Sequence, residues 1–244
     1  MPESRSVLIT GGAGGIGRAI AHAFIAVGDR VIIADHDATA ANEAATELGA
    51  AASALALDIT DPSAAALALA SAGPIDVLVN NAGILSVHGA VTALAPEDYR
   101  SILEVNVIGT FTMVQAYARH RIALGGGGTV VNISSIGGRQ PTPGMGAYES
   151  SKAAVDSVTR WAAIELAEHG IRVNAVAPGP VLTPMLAQGM PEGSPARAAW
   201  SSRIPLGDLA HVEQVAAPVV FLASEAAAHI TGVSLAVDGG QLLT

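Results

Sequence analysis

Seven short runs of nearly continuous apolar, mostly β-branched residues punctuate this chain. They constrain its fold more than any other feature. They are "SVLIT" at 6–10, "RVIIAD" at 30–35, "ALALDIT" at 54–60, "DVLVNNAG" at 76–83, "TVVNISS" at 129–135, "IRVNAVAP" at 171–178 and "VSLAVDGG" at 233–240. Unbroken apolar runs mark strands covered on both faces, as in parallel sheets. Ala-rich helical stretches separate them, at roughly 15–28, 38–48, 61–72, 96–124, 147–169 and 212–224. Strands alternating with helices build βαβ units. The expected class is therefore α/β: a doubly wound parallel sheet of about seven strands with helices on both faces. The 244 residues suit one domain spanning 1–244, with no linker or internal repeat. "GGGG" at 125–128 reads as the turn from a long helix into the fifth strand. The one long irregular stretch, 179–211, is rich in Gly, Pro and Met, and its residues 180–211 are expected to form a substrate lid.

Half of the chain is hydrophobic but only 3% is aromatic, so the core must be built from Ala, Val, Leu and Ile. The formal net charge of −9 argues against nucleic acid and anionic membranes as partners, since both need basic patches. With no cysteine, disulfides, thiolate metal sites and thiol nucleophiles are excluded. The seven histidines are scattered without metal-ligand spacing, and no metal is expected. "MPESRSVLIT" lacks a secretory h-region, and the most apolar run, "VAAPVVFLA" at 215–223, is too short to span a membrane. A cytoplasmic protein is expected.

The first strand runs directly into "TGGAGGIGRAIAHAF" at 10–24. This segment holds G-x-G-x-x-G at Gly12, Gly14 and Gly17, and also G-x-x-x-G-x-G at Gly11, Gly15 and Gly17. Either spacing allows a tight turn, backbone N–H groups close to a pyrophosphate, and close packing of helix on strand. The helix N-terminus adds a favourable partial charge. Asp35 ends the second strand, where a carboxylate accepts hydrogen bonds from ribose hydroxyls and repels a 2′-phosphate. No Arg or Lys lies in 35–42 or between Gly11 and Gly17, so NAD is expected over NADP.

Tyr148 and Lys152, in "AYESSKAAV" at 147–155, stand one helical turn apart and can share a small site. With "TGGAGGIG", "NNAG" at 80–83 and this Tyr-x-x-x-Lys pair, the whole chain resembles the short-chain dehydrogenase/reductase family, single-domain Rossmann-type oxidoreductases. The resemblance implies a catalytic set of Asn106, Ser135, Tyr148 and Lys152. It implies cofactor contacts from Gly11, Ala13, Gly14, Gly15, Ile16, Gly17, Asp35, Asp58 (at the adenine) and Ile59. Further contacts are implied from Asn80, Ala82, Gly83, Tyr148, Lys152, Pro178, Gly179, Val181 and Thr183, the last reaching the nicotinamide amide or a phosphate. One departure is Glu149, where the family more usually has a small or amide residue. It should point about 100° away from Lys152, toward a substrate pocket, an interface or, as is commonest, solvent.

A phenol with a pKa of about 10 is a poor base at neutral pH, and a cation within roughly 4–6 Å favours the phenolate. Lys152 is expected to supply that cation, and the family likeness adds a bond from Lys152 to the nicotinamide ribose. Ser135 would donate a hydrogen bond to the substrate oxygen, and Asn106 would hold a water linking Lys152 to solvent. Substrate contacts are expected from Ser135, Val87, His88, Gln140, Met145, Tyr148, Pro180, Met185 and Leu186. These are mostly apolar and neutral, which suits a small neutral secondary alcohol, polyol or ketone. The alternatives are a 3-oxoacyl-thioester (acyl-carrier-protein) reductase and a catalytically idle NAD-binding scaffold. The likeness also implies a homotetramer, or a homodimer, packed through the Ala-rich helices.

Overall fold

The computed structural model describes residues 4–244, apart from the side chain of Met185. Seven parallel strands form one sheet in the order β3-β2-β1-β4-β5-β6-β9, so the chain reverses its winding between β1 and β4. The strands are β1 (Ser6–Thr10), β2 (Arg30–Asp35), β3 (Ala52–Ala56), β4 (Val77–Asn80), β5 (Gly128–Ile133), β6 (Ile171–Pro178) and β9 (Ser234–Val237). The third run is shifted from its expected 54–60, and 57–60 form the loop leaving the strand.

Alternate residues of each strand face opposite layers, which is why the strands read as unbroken apolar runs. Val7, Ile9, Val77, Val79 and Val131 meet α1 (Gly15–Ala26), α2 (Ala38–Leu48) and α9 (Val212–Leu222). Leu8, Leu78 and Val130 meet the other layer, α3 (Pro62–Ala72), α5 (Thr110–Ala123) and α6 (Gly146–Leu166). Local chemistry starts the helices. Asp37 accepts from the N–H groups of Thr39 and Ala40 at the head of α2. Asp61 does the same for Ser63 and Ala64 at α3, with Pro62 in the first turn.

Two expectations need correction. The expected single helix over 96–124 is α4 (Pro96–Leu103), a π-helical turn over Glu104–Gly109, and α5. The wide turn carries Asn106, whose side chain is pulled onto the backbone of Ile84. Gly109 ends it where a Cβ would press on Ile59, 2.6 Å from its Cδ1. The stretch 179–211 is not structureless. It contains α7 (Pro184–Gly189), α8 (Pro195–Ser201), and a parallel pair of two-residue strands, β7 (Val181–Leu182) with β8 (Ala210–His211). Both short helices open on a hydroxyl followed by proline: Thr183 accepts from Leu186 N–H, and Ser194 from Arg197 N–H.

The turn at 125–128 is built from four glycines, all at positive φ. Tyr117 locks the strand that follows. Its fully buried hydroxyl donates to Asp76 O at 2.7 Å and accepts from Thr129 N–H at 3.1 Å. A Cβ at Gly128 would collide with that hydroxyl. Thr129 N–H and Asp76 O also bond each other at 3.1 Å, so Tyr117→Phe should remove two hydrogen bonds without orphaning either group and cost about 0.5–1.5 kcal/mol of stability. A thermal melt should show this as a lowered Tm, and an unchanged Tm would refute it.

Candidate active site

The carboxyl ends of β1, β4, β5 and β6 converge where the strand order reverses, the usual ligand crevice of such sheets. The first wall is the glycine loop. Gly11 has φ +59°, and a Cβ there would stand 2.8 Å from Ala82 Cα. A Cβ on Gly17 would overlap the Gly11 carbonyl and lie 2.7 Å from Gly12 Cα. On Gly15 it would meet Pro184 of α7 at 2.8 Å. Gly14 has no neighbour closer than 3.5 Å. A Cβ on Gly12 would stand 2.9 Å from Ile33 Cγ2 and 3.0 Å from Ile9 O, so Gly11, Gly12, Gly15 and Gly17 are all crowded, while Gly14 serves as the N-cap of α1.

Asn81 ties this loop to β4. Its Nδ2 donates to Thr10 O at 3.1 Å and Gly11 O at 2.8 Å, while Thr10 Oγ1 accepts from the N–H groups of Asn81 and Ala82. The neighbouring Asn80, expected at the cofactor, turns into the core instead. It is buried and donates to Asn132 Oδ1 at 2.9 Å, and Asn132 in turn donates to Thr159. The period of two along a strand sends adjacent asparagines to opposite sides. Ile59 is likewise buried, packed on Gly109.

Asp35 points at the loop: its Oδ2 accepts from Ala13 N–H at 3.3 Å, and its Oδ1 faces His36 Nδ1 at 3.0 Å. Arg18, one residue past the glycines, donates to Ala13 O and pairs with Glu47. Asp58 accepts from the backbone N–H and then the hydroxyl of Thr60, which hold its carboxyl below the usual range.

Ser135, Tyr148 and Lys152 come together at the end of β5. Ser135 leaves the strand at the head of a 3₁₀ turn, where its Oγ accepts from Gly137 N–H at 3.1 Å. Tyr148 lies in the first turn of α6, and Lys152 Nζ stands 5.6 Å from its ring centroid. Lys152 is buried and donates to Ile133 O at 2.9 Å. Asn106 bonds Ile84 N–H, Ile84 O and Ser151 Oγ. The space beside Gly83 is bounded by Asn106 Oδ1 at 3.2 Å and Lys152 Nζ at 3.4 Å.

The electrostatics differ from the expectation that Lys152 depresses the phenol. Burial pushes the Tyr148 phenol up; the Ser135 hydroxyl opposes this and the Glu149 carboxylate adds to it. Burial also brings Lys152 down to about 8, against a partial restoring pull from Asp156. The Lys152 ammonium is bonded to the Ile133 carbonyl rather than to the phenol.

These residues open onto a cleft of about 450 Å³. Ile16, Pro178, Gly179, Val181 and Thr183 line its inner end, with Ser135 and Tyr148. Gln140, Met145, Pro180 and Leu186 line it as expected. Val87 and His88 do not, and His88 is exposed, because the loop after β4 carries them past the mouth. The Met185 side chain lies outside the described residues. The sequence reading missed Leu85, Met190, Trp200 and Gln241 on the lining, and of the settings open to Glu149 the cleft is the one it takes. Glu149 is 6% exposed rather than solvated, and its Oε1 accepts from Thr142 N–H at 2.7 Å. Its placement in the helix's first turn was the one available signal.

Folding strips Lys152 of its proton near pH 8, while the unfolded chain keeps it to about 10.5. The unfolded state therefore binds more protons in that window, so this group makes stability rise with pH. Between pH 8 and 10 the rise should be on the order of 2 kcal/mol larger in the wild type than in Lys152→Met. Denaturant titrations at both pH values would reveal it, and parallel pH dependences would refute it.

The model of the family described as enoyl-(acyl carrier protein) reductase matches residues 11–241. The sorbitol dehydrogenase of Cereibacter sphaeroides is 38% identical over 255 residues, covering 99% of both chains. The galactitol 2-dehydrogenase (L-tagatose-forming) of the same organism is 41% identical over 240 residues, covering 95% of this chain and 92% of its own. The crystal structure of 3-ketoacyl-(acyl-carrier-protein) reductase from Brucella melitensis complexed with NADH superposes with a TM-score of 0.89 at 36% identity, covering 98% of each chain. With this fold, this glycine loop and these full-length relatives, the chain belongs to the short-chain dehydrogenase/reductase family, oxidoreductases acting on alcohol CH–OH groups.

Proposed function

We propose that this protein is an NAD-dependent dehydrogenase that interconverts a secondary alcohol or polyol and its ketone. The observation that carries this reading is the meeting of Ser135 and Tyr148 on one cleft with Ile16 of the glycine loop, the buried Lys152 Nζ standing 5.6 Å from the Tyr148 ring. The relatives that act on sorbitol and galactitol support the substrate class.

The residues present fit a dinucleotide: side chains at Gly11, Gly15 and Gly17 would fill the space against β4 and α7, and their absence leaves a backbone cradle. Gly11, Ala13, Gly14, Gly15, Ile16 and Gly17 would hold the diphosphate. Asp35 would take the adenosine ribose, Asp58 the adenine, and Ala82, Gly83, Pro178, Gly179, Val181 and Thr183 the nicotinamide half. When bound, the nicotinamide supplies hydride transfer.

Tyr148 Oη removes the proton from the substrate hydroxyl during oxidation and returns it during reduction. The Ser135 hydroxyl donates to the substrate oxygen as negative charge develops there. Lys152 keeps positive charge in a desolvated site, where Coulomb interactions are strong. It also passes protons past Asn106, which bounds the same space beside Gly83. The segment 180–211 covers substrate through Leu186, Met190 and Trp200. The cysteine-free sequence agrees with a reducing, cytoplasmic setting.

Asp35 supports NAD over NADP, since its carboxylate faces the loop and Arg18 is already engaged by Glu47. A second reading, a 3-oxoacyl-thioester reductase, is favoured by the likeness to the Brucella enzyme. It predicts NADPH preference and a basic docking patch, against which Asp35 and the −9 charge count. Reduced-nicotinamide absorbance, followed with NAD⁺ and NADP⁺ over secondary alcohols and polyols, separates the readings. NAD⁺ should be preferred, and Tyr148→Phe should lower kcat about 10²–10⁴-fold while retaining cofactor binding. Turnover with NADP⁺ alone would overturn the cofactor assignment, and cofactor binding without turnover would mark an idle scaffold.

The exposed faces of α5 and α6 support a homotetramer or homodimer. Phe111 and Trp161 stack there at 5.7 Å, with Trp161 half exposed and Ile164 more so. Light scattering after size-exclusion chromatography should give a mass of two or four chains, and a monomer would end this part of the reading.

A further inference from the structure

Glu149 is buried without a cation. Among the described residues no Lys, Arg or His forms an ion pair with it. One carboxylate oxygen, Oε1, accepts from Thr142 N–H at 2.7 Å, and the other, Oε2, has no hydrogen bond within the described chain. A carboxylate costs a great deal to desolvate unless its oxygens find donors. Gly137 makes the placement feasible. A Cβ there would stand 2.9 Å from Glu149 Cγ, 3.4 Å from Ser135 Oγ and 3.5 Å from Glu149 Oε1. The carboxylate and the Ser135 hydroxyl thus flank the same missing side chain.

A second, independent feature lies on the same cleft. Gln241 is 3% exposed, and its Oε1 is buried with no partner among the described residues. Its Nε2 reaches Gln140 Oε1 at 3.5 Å, and Gln140 Nε2 donates to Thr244 O at 3.3 Å. Glu149, Gln140 and Gln241 all line the cleft that Ser135 and Tyr148 share, amid Ile136, Met145 and Leu186. The cleft therefore has one unbonded acceptor oxygen that is not enclosed, Glu149 Oε2, with the enclosed and unpartnered Gln241 Oε1 in the same lining.

We infer that Glu149, with Gln140 and Gln241, forms a subsite for a hydroxyl of the substrate other than the one oxidised, so the cleft selects polyols over monoalcohols. This rests on the dehydrogenase reading above. An ionised carboxylate only accepts, so its ligand must donate. Several neutral hydroxyls match one carboxylate and two uncharged amides. An ammonium would place a full charge against the amides and the apolar lining. A monoalcohol leaves Glu149 Oε2 facing that lining, and sites built to bond a hydroxyl discriminate strongly against analogues lacking it.

The test compares kcat/KM with NAD⁺ for a secondary monoalcohol, the vicinal diol and the amino alcohol of equal carbon number. The wild type, Glu149→Gln, Glu149→Leu and Gln241→Leu are all measured, with a melt of each variant to verify folding. The wild type should prefer the diol by about tenfold or more. That preference should fall in the order wild type, Glu149→Gln, Glu149→Leu, mainly through KM, as expected for lost ground-state binding. Gln241→Leu should lower it in the same direction. Equal losses on diol and monoalcohol, or no wild-type preference, would overturn the subsite while the dehydrogenase reading stands. Preference for the amino alcohol would overturn the hydroxyl assignment. Wild-type turnover of none of the three, when other secondary alcohols also fail, would overturn the dehydrogenase reading and the subsite with it.

Discussion

The close approach of α1 to the end of β1 is the constraint on which the cleft depends. Nothing larger than hydrogen fits at Gly17, because the Gly11 carbonyl and Gly12 Cα already occupy the space. Asn81 then holds the carbonyls of Thr10 and Gly11 from the next strand in the sheet, and Thr10 Oγ1 accepts two hydrogen bonds, from the N–H groups of Asn81 and Ala82. This stitching sits where β1 and β4 pair and the winding reverses. It leaves the first N–H groups of α1 without helical partners, where they suit anions.

The reacting groups depend on a different joint, between α6 and β5. Lys152 Nζ donates to Ile133 O, Ser134 Oγ donates to Lys152 O, and Asn132 reaches Thr159 one helical face further on. One stripe of α6 thus packs polar groups into the sheet and presents Tyr148 at its outer end. The cost is desolvation, visible in the raised phenol and the lowered ammonium. The ammonium, brought down to about 8, lies close to working pH and can exchange its proton, whereas burial by itself holds the phenol protonated.

Much of this was legible in the sequence, for local reasons. Tyr148 and Lys152 share a helix face by spacing alone, and the glycine run after a strand marks a tight turn into a helix. The hydroxyl-proline pairs at Thr183–Pro184 and Ser194–Pro195 were present as helix starts, but the surrounding Gly and Pro made 179–211 read as irregular. Other features had no local signal. The π turn around Asn106 forms because Ile84, distant in sequence, accepts and donates to its amide. Asn80 turns into the core and Asn81 faces the loop because the pleat of β4 sends neighbouring residues to opposite sides. Val87 and His88 fall outside the lining because of the path taken by the loop after β4.

The sequence by itself determined the doubly wound sheet, the glycine cradle, the acidic end of β2 and the Tyr148–Lys152 pair. Each is written in hydrophobic period, helical spacing or the steric freedom of glycine, and all of these act over a few residues. Only the tertiary structure decided what crowds each glycine, that burial raises the Tyr148 phenol, and that Glu149 turns into the cleft. Those outcomes depend on what distant segments place beside a residue. Thr142 and Gly137 make room and a hydrogen bond for Glu149, and no spacing along the chain encodes that contact.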